Sequence, residues 1–136
     1  MATSARDLAP GDVFDGKYRI VRRLGAGGMG AVFVAEHVRV PGQYALKVML
    51  PHLAAGEDFR ARFFREIQVA RALVHPNVIV IRDCDVAGDG TCYYTMDLST
   101  GRPLSALPRP LEVRRALHLV RQVLEALAAA HRMGIV

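Results

Sequence analysis

Apolar positions between Tyr18 and Leu98 fall into short alternating runs, interrupted once by a run with helical spacing. Tyr18 to Leu24 and Ala31 to His37 read as strands, with the glycine run Gly25 to Gly30 at the hairpin tip between them. Gln43 to Leu50 is a third strand, entered through the turn Pro41-Gly42. Asp58 is read as the N-cap of a helix reaching about Val74. Its Phe59, Phe63, Ile67, Ala70 and Val74 recur at steps of three and four and define one buried face. His75-Pro76-Asn77 ends that helix, because proline disfavours helical geometry in the residue before it. Val78 to Val86 and Thr91 to Leu98 form a second strand pair around Gly88-Asp89-Gly90. After the breaker Ser99 to Pro103, Glu112 to about Met133 is a long helix with Leu117, Val120, Leu124 and Leu127 on one face. Ala116, Val123 and Ala128 widen that stripe. Residues 1–16, with turn signals at Pro10-Gly11 and Asp15-Gly16, read as a flexible lead-in. Five strands, one helix inserted after the third, then helices alone predict an α+β arrangement.

Composition changes this picture little. The 136 residues suffice for one modest domain, and 51% apolar content supports a packed core. The formal charge of +5 raises nucleic acid or an anionic membrane as partners. Only Lys17 and Lys47 are lysines, however; the other basic residues are arginines spread along the chain, without tryptophan or aromatic interleaving. That argues against a nucleic-acid surface. Cys84 and Cys92 are too few for a disulfide framework and lack metal-ligand spacing, so both read as buried thiols in a reducing compartment. No apolar run of signal-peptide length occurs from Met1 to Pro10, nor a membrane span downstream; a soluble, cytoplasmic chain is expected.

The chemistry concentrates in three places. Four glycines occupy the six positions from Gly25 to Gly30. A dinucleotide fingerprint would lead into a helix, but Ala31-Val32-Phe33-Val34-Ala35 is strand-like. A Walker loop would end in Gly-Lys-Ser/Thr, and Gly30 is followed by Ala31-Val32. There remains a glycine-tipped hairpin, where absent Cβ atoms permit positive φ and let backbone N–H groups approach phosphate oxygens. Lys47 lies in an apolar strand, with Ala45 and Met49 on its face and Leu46, Val48 and Leu50 on the other. It either meets an anion there or snorkels to solvent from an edge. Glu66 lies beside the buried stripe of the first helix and is either the partner of Lys47 or a solvated glutamate. Arg60, Arg62, Arg65 and Arg71 read as that helix's solvated face.

Together the run Gly25 to Val32, Ala45-Leu46-Lys47, Glu66 and His75-Pro76-Asn77-Val78 resemble the N-terminal lobe of a bacterial serine/threonine protein kinase of the eukaryotic-like type. The resemblance runs from about Lys17 to the last residue. It implies an N-lobe over residues 17–98, a five-stranded antiparallel sheet with one inserted helix, and the hinge and first C-lobe helices over 99–136. It implies further that Gly25, Ala26, Gly27, Gly28, Met29 and Gly30 cover the phosphates of ATP. Lys47 would hold the α- and β-phosphates and pair with Glu66. Leu24, Val32 and Ala45 would roof the adenine, Met96 would be the gatekeeper, and Asp97, Leu98 and Ser99 the hinge. Family hinges more often carry Glu where Asp97 stands and Asp where Thr100 stands. From the residues alone, Met96 is equally a core methionine.

Ala126 to Val136 resembles the helix leading into the kinase catalytic loop, and the sequence stops there. The resemblance therefore implies that the general base and the magnesium-binding residues lie outside this chain, which offers no metal ligand set. Mg²⁺ is expected only in the complete kinase. The expectation is the N-terminal part of a kinase that transfers the γ-phosphoryl group of ATP to Ser/Thr hydroxyls of protein substrates, inactive as this chain alone. The alternative is a naturally short, non-catalytic half-kinase module that binds nucleotide or a partner. Either way, the apolar helix over 112–133 expects a C-lobe or a partner to cover it.

Overall fold

The computed structural model describes residues 7–50 and 56–136. The strands are β1 (Val13–Phe14), β2 (Tyr18–Ala26), β3 (Gly30–His37), β4 (Gln43–Met49), β5 (Ile81–Val86) and β6 (Cys92–Asp97). The helices are α1 (Glu57–Ala72), between β4 and β5, and α2 (Val113–Arg132), after a 3₁₀ turn at Leu104–Ala106. The six strands form one antiparallel sheet in the order β1-β2-β3-β4-β6-β5.

One more strand forms than the hydrophobic pattern predicts. Val13 and Phe14 pair with Arg19 and Tyr18 across a turn in which Asp15 and Gly16 both take positive φ. Leu8 and Phe14 are buried in the main core, so residues 7–16 are part of the fold and not a flexible lead-in. The first six residues of that expected lead-in lie outside the described residues. Burying Leu8 in the main core and Phe14 edge-on to Tyr93 offsets the cost of ordering this short segment.

Strand alternation sorts the rest. Tyr18, Ile20, Phe33, Ala35, Leu46, Val48 and Tyr93 share one face and form the main core. Met49 and Cys92 on the opposite face meet Phe63 and Ile67 of α1, with Phe59 and Phe64 packed around them. The buried stripe of α1 is shorter than its periodicity predicts. Ala70 is exposed, and Val74 lies past the helix end and is 84% exposed. The cap also differs: Gly56 occupies the N-cap without a side-chain bond, which places Asp58 in the first turn with Glu57. Both carboxylates there complement the helix dipole. Nor are the arginines of α1 all solvated, since Arg60 is half-buried and donates to the Gly90 carbonyl at 3.3 Å. Cys92 is buried, Cys84 is half-buried, and neither is disulfide-bonded.

α2 ends through Gly134, which takes φ 74°. Its N–H donates to the His131 carbonyl and that of Ile135 to the Ala130 carbonyl, a Schellman closure. The Asn77 side chain donates to the Gln122 carbonyl at 3.0 Å and ties the His75-Pro76-Asn77 turn to α2.

Candidate functional site

Two cross-strand ladders carry five of the predicted site residues. One runs Gly25–Val32–Lys47–Tyr94–Cys84 and the next Arg22–Val34–Ala45–Met96–Ile81. Directly paired positions on one face bring Cβ atoms to roughly 5 Å. Gly25, Val32, Lys47, Ala45 and Met96, distant in sequence, therefore share one patch of one sheet face. Leu24 falls at a bulge between Arg23 and Gly25, where the register skips it, and is 44% exposed. Bulges re-aim side chains, and alternation alone does not reveal this one.

The glycine run forms the tip connecting β2 to β3. The Gly27 N–H donates to the Gly30 carbonyl, and the Leu50 N–H to the Met29 carbonyl, anchoring the tip to the end of β4. Met29 itself is 65% exposed. The glycines serve two purposes, neither of them positive φ, which none of these four adopts. A Cβ on Gly30 would lie 2.2 Å from the Val48 carbonyl oxygen, so close backbone approach to β4 demands glycine there. A Cβ on Gly25, Gly27 or Gly28 would meet nothing within 4 Å. Those three glycines leave the hairpin bare on its open side, as a polyanion approaching backbone N–H groups requires.

Lys47 is half-buried, with its ammonium 5.8 Å from the ring centroid of Tyr94, its ladder neighbour. A ring face at that distance attracts a cation, so Tyr94 helps position Lys47. The sequence reading missed Tyr94; alternation through Tyr93-Tyr94 is the signal that would have found it. Glu66 is exposed on α1, and no ion pair among the described residues joins it to Lys47. The expected pair is open in this structure, with Phe63 and Ile67 packed against the sheet and Glu66 exposed beside them. Met96 is half-buried on the ladder face, neither a fully buried core residue nor a surface one.

The Asp97 side chain turns to the opposite face and binds Arg82 through two hydrogen bonds of 2.5 and 2.8 Å. The guanidinium holds its carboxyl below the usual carboxylate range. The Asp97 N–H donates to the Val80 carbonyl. Ser99 is exposed, and its hydroxyl accepts from the Gly101 N–H at 3.3 Å. Among the described residues no three His, Cys, Asp or Glu side chains converge on a metal site. No described helix is long and apolar enough to cross a membrane.

Comparison with known sequences and structures follows the same outline. A sequence family described as the protein kinase domain matches residues 18–136. Serine/threonine-protein kinase PknJ of Mycobacterium tuberculosis is 38% identical over 134 residues, which cover 97% of this chain and 22% of that protein. Serine/threonine-protein kinase Pkn1 of Myxococcus xanthus is 40% identical over 122 residues, covering 89% and 18% respectively. The crystal structure of the Mycobacterium tuberculosis PknI kinase domain superposes with a TM-score of 0.74 at 37% identity, covering 98% of this chain and 54% of that one. The chain thus spans about a fifth of the length of these curated relatives and about half of a solved kinase domain.

Proposed function

As the chain belongs to the protein kinase domain family, we propose that it forms the ATP-binding half of a serine/threonine protein kinase. The observation that carries this reading is the pair of ladders, which brings Gly25, Val32, Lys47, Ala45 and Met96 onto one face beside the bare glycine hairpin. The adenine lies against Leu24, Val32, Ala45 and Met96, with its polar edge toward the backbone of Asp97, Leu98 and Ser99. The phosphates lie under the hairpin from Gly25 to Gly30, whose N–H groups donate to their oxygens. Lys47 swings from the Tyr94 ring to the α- and β-phosphates, and Glu66 closes on its ammonium once the nucleotide draws α1 and β4 together. These residues bind and orient ATP. Among the described residues no group of three His, Cys, Asp or Glu side chains is placed to hold Mg²⁺. In the whole protein, the γ-phosphoryl group passes to Ser/Thr hydroxyls of protein substrates.

One observation favours an additional partner. Leu117, Val120 and Leu124 on α2 are each more than half exposed, and Val120 and Leu124 border, with Leu104 and Leu111, an open groove of about 490 Å³. Further kinase chain or another protein covers this face.

The test is ATP titration of the purified chain by calorimetry, alongside Lys47→Met. Charge-assisted hydrogen bonds contribute about 1.5–3 kcal/mol, so the substitution is expected to weaken binding about tenfold or more. Equal affinity in both proteins overturns the role of Lys47, and no binding by either overturns the reading.

A further inference from the structure

On the sheet face away from the ladders, a cavity of about 400 Å³ opens at the end of the main core. Tyr18, His37 and Tyr44 contribute aromatic rings to its wall, and Thr95 and Asp97 of β6 and the neighbouring Asp83 add polar groups. Arg82 also lines it, but its guanidinium is bound by the Asp97 carboxylate at two points and is already neutralised. Asp83 is different. Its oxygens accept from the Tyr18 hydroxyl at 3.1 Å and the Cys84 N–H at 2.9 Å, and no cation pairs with it among the described residues.

Burial raises the Tyr18 phenol above its usual range, so it stays a donor to Asp83. The His37 ring stands edge-on to Tyr18 at 5.3 Å and accepts the Arg39 and Val40 N–H groups at Nδ1, which leaves its hydrogen on Nε2. Tyr18 is buried in the core at 3% exposure, so the cavity combines one uncompensated, half-buried carboxylate with the half-buried rings of Tyr44 and His37, and its volume falls within the range of small-ligand sites. Carboxylate and ring faces both attract cations, and together they select a flat or apolar-bodied cation over a hydrated metal ion.

We propose that this cavity binds an organic cation, a guanidinium or alkylammonium group, with its charge on Asp83 and its body against Tyr44 and His37. The site lies on the sheet face opposite the ladders: Thr95 and Asp97 line it, whereas Met96 between them lies on the ladder face, so shifts at residues 81–83 distinguish it from the nucleotide site. The chemistry is shared by a free small guanidine and by an arginine side chain of a protein segment. The experiment titrates the isotope-labelled chain with agmatine and, separately, with a blocked glycyl-arginyl-glycine peptide, following backbone amide shifts. Saturable shifts at residues 81–83 and 95–97 are expected from at least one probe. Binding of agmatine alone assigns a small-molecule ligand, and binding of the peptide alone a protein side chain. Asp83→Asn is expected to weaken binding at least about tenfold, and Tyr44→Leu several-fold. Should Asp83→Asn lose the dispersed spectrum of the folded chain, Tyr44→Leu decides. Shifts from neither probe, or affinity unchanged in the folded variants, overturn the proposal.

Discussion

Gly30 and Gly28 lie two residues apart in the same hairpin, yet the structure constrains them in opposite ways. A Cβ on Gly30 collides with the Val48 carbonyl, a backbone atom in a paired strand that has nowhere to retreat. Overpacking of this kind costs about 1–3 kcal/mol, so Gly30→Ala is expected to lower the thermal midpoint by several degrees. Gly28→Ala is expected to leave that midpoint almost unchanged and to weaken ATP binding. Thermal unfolding with and without ATP separates the two effects. Equal destabilisation by both variants would contradict the packing account of Gly30. The sequence pointed to all four glycines for two reasons, left-handed backbone and room for phosphate oxygens at the N–H groups, and none of the four adopts the first. Close approach between β3 and β4 depends on register, which spacing within one strand does not contain. Lys47 and its face were legible because alternation in an apolar strand leaves few options.

At the scale of elements, the ends of the sheet are joined by a polar knot that the hydrophobic pattern does not register. Lys17, in the turn before β2, donates to Asp85 of β5 and to the Tyr93 hydroxyl of β6, and that hydroxyl donates to Asp15. The Lys17 hydrogen bond, then the Val86 N–H, holds the Asp85 carboxyl below its usual range. Asp85 is therefore expected to contribute stability above an ordinary carboxyl pKa of about 3.9, lost as pH falls through its lower folded value. Hydrogen bonds to Asp85 and then Tyr93 hold the Lys17 ammonium above its ordinary range, so its contribution disappears only in strong alkali. Asp85→Asn is expected to flatten the acid limb of stability against pH, measured by urea unfolding between pH 3 and 6. Unchanged acid dependence would contradict the pairing. This knot secures β1, the strand the sequence reading left as lead-in. Two residues are too few to show alternation, and their anchoring partners lie about 70 positions away.

For the whole molecule, the sheet and α1 bury their apolar faces against each other, but α2 does not. Its Leu117–Leu127 stripe was legible from helical periodicity, and the structure leaves it open, with Leu117 64% exposed. Apolar surface on this scale favours association. The isolated 136-residue chain is expected to self-associate in sedimentation velocity, and Leu117→Glu with Leu124→Glu to reduce that association. A monodisperse monomer across a wide concentration range would contradict this expectation. The succession of strands along the chain, the helix inserted after β4 and the shared face of Ala45 and Lys47 could be anticipated from pattern; Val32 and Met96 joined them only through the family resemblance. Bulges, β1 and the open Lys47–Glu66 pair could not, because each is decided by contacts between segments far apart in sequence. The central claim is that the ladder face and the glycine hairpin bind ATP together, and backbone amide shifts during ATP titration of the labelled chain test it most directly. The account predicts shifts concentrated at Gly25 to Gly30, Lys47 and Met96 to Ser99; saturating binding that leaves those amides unmoved, or no binding, would contradict it.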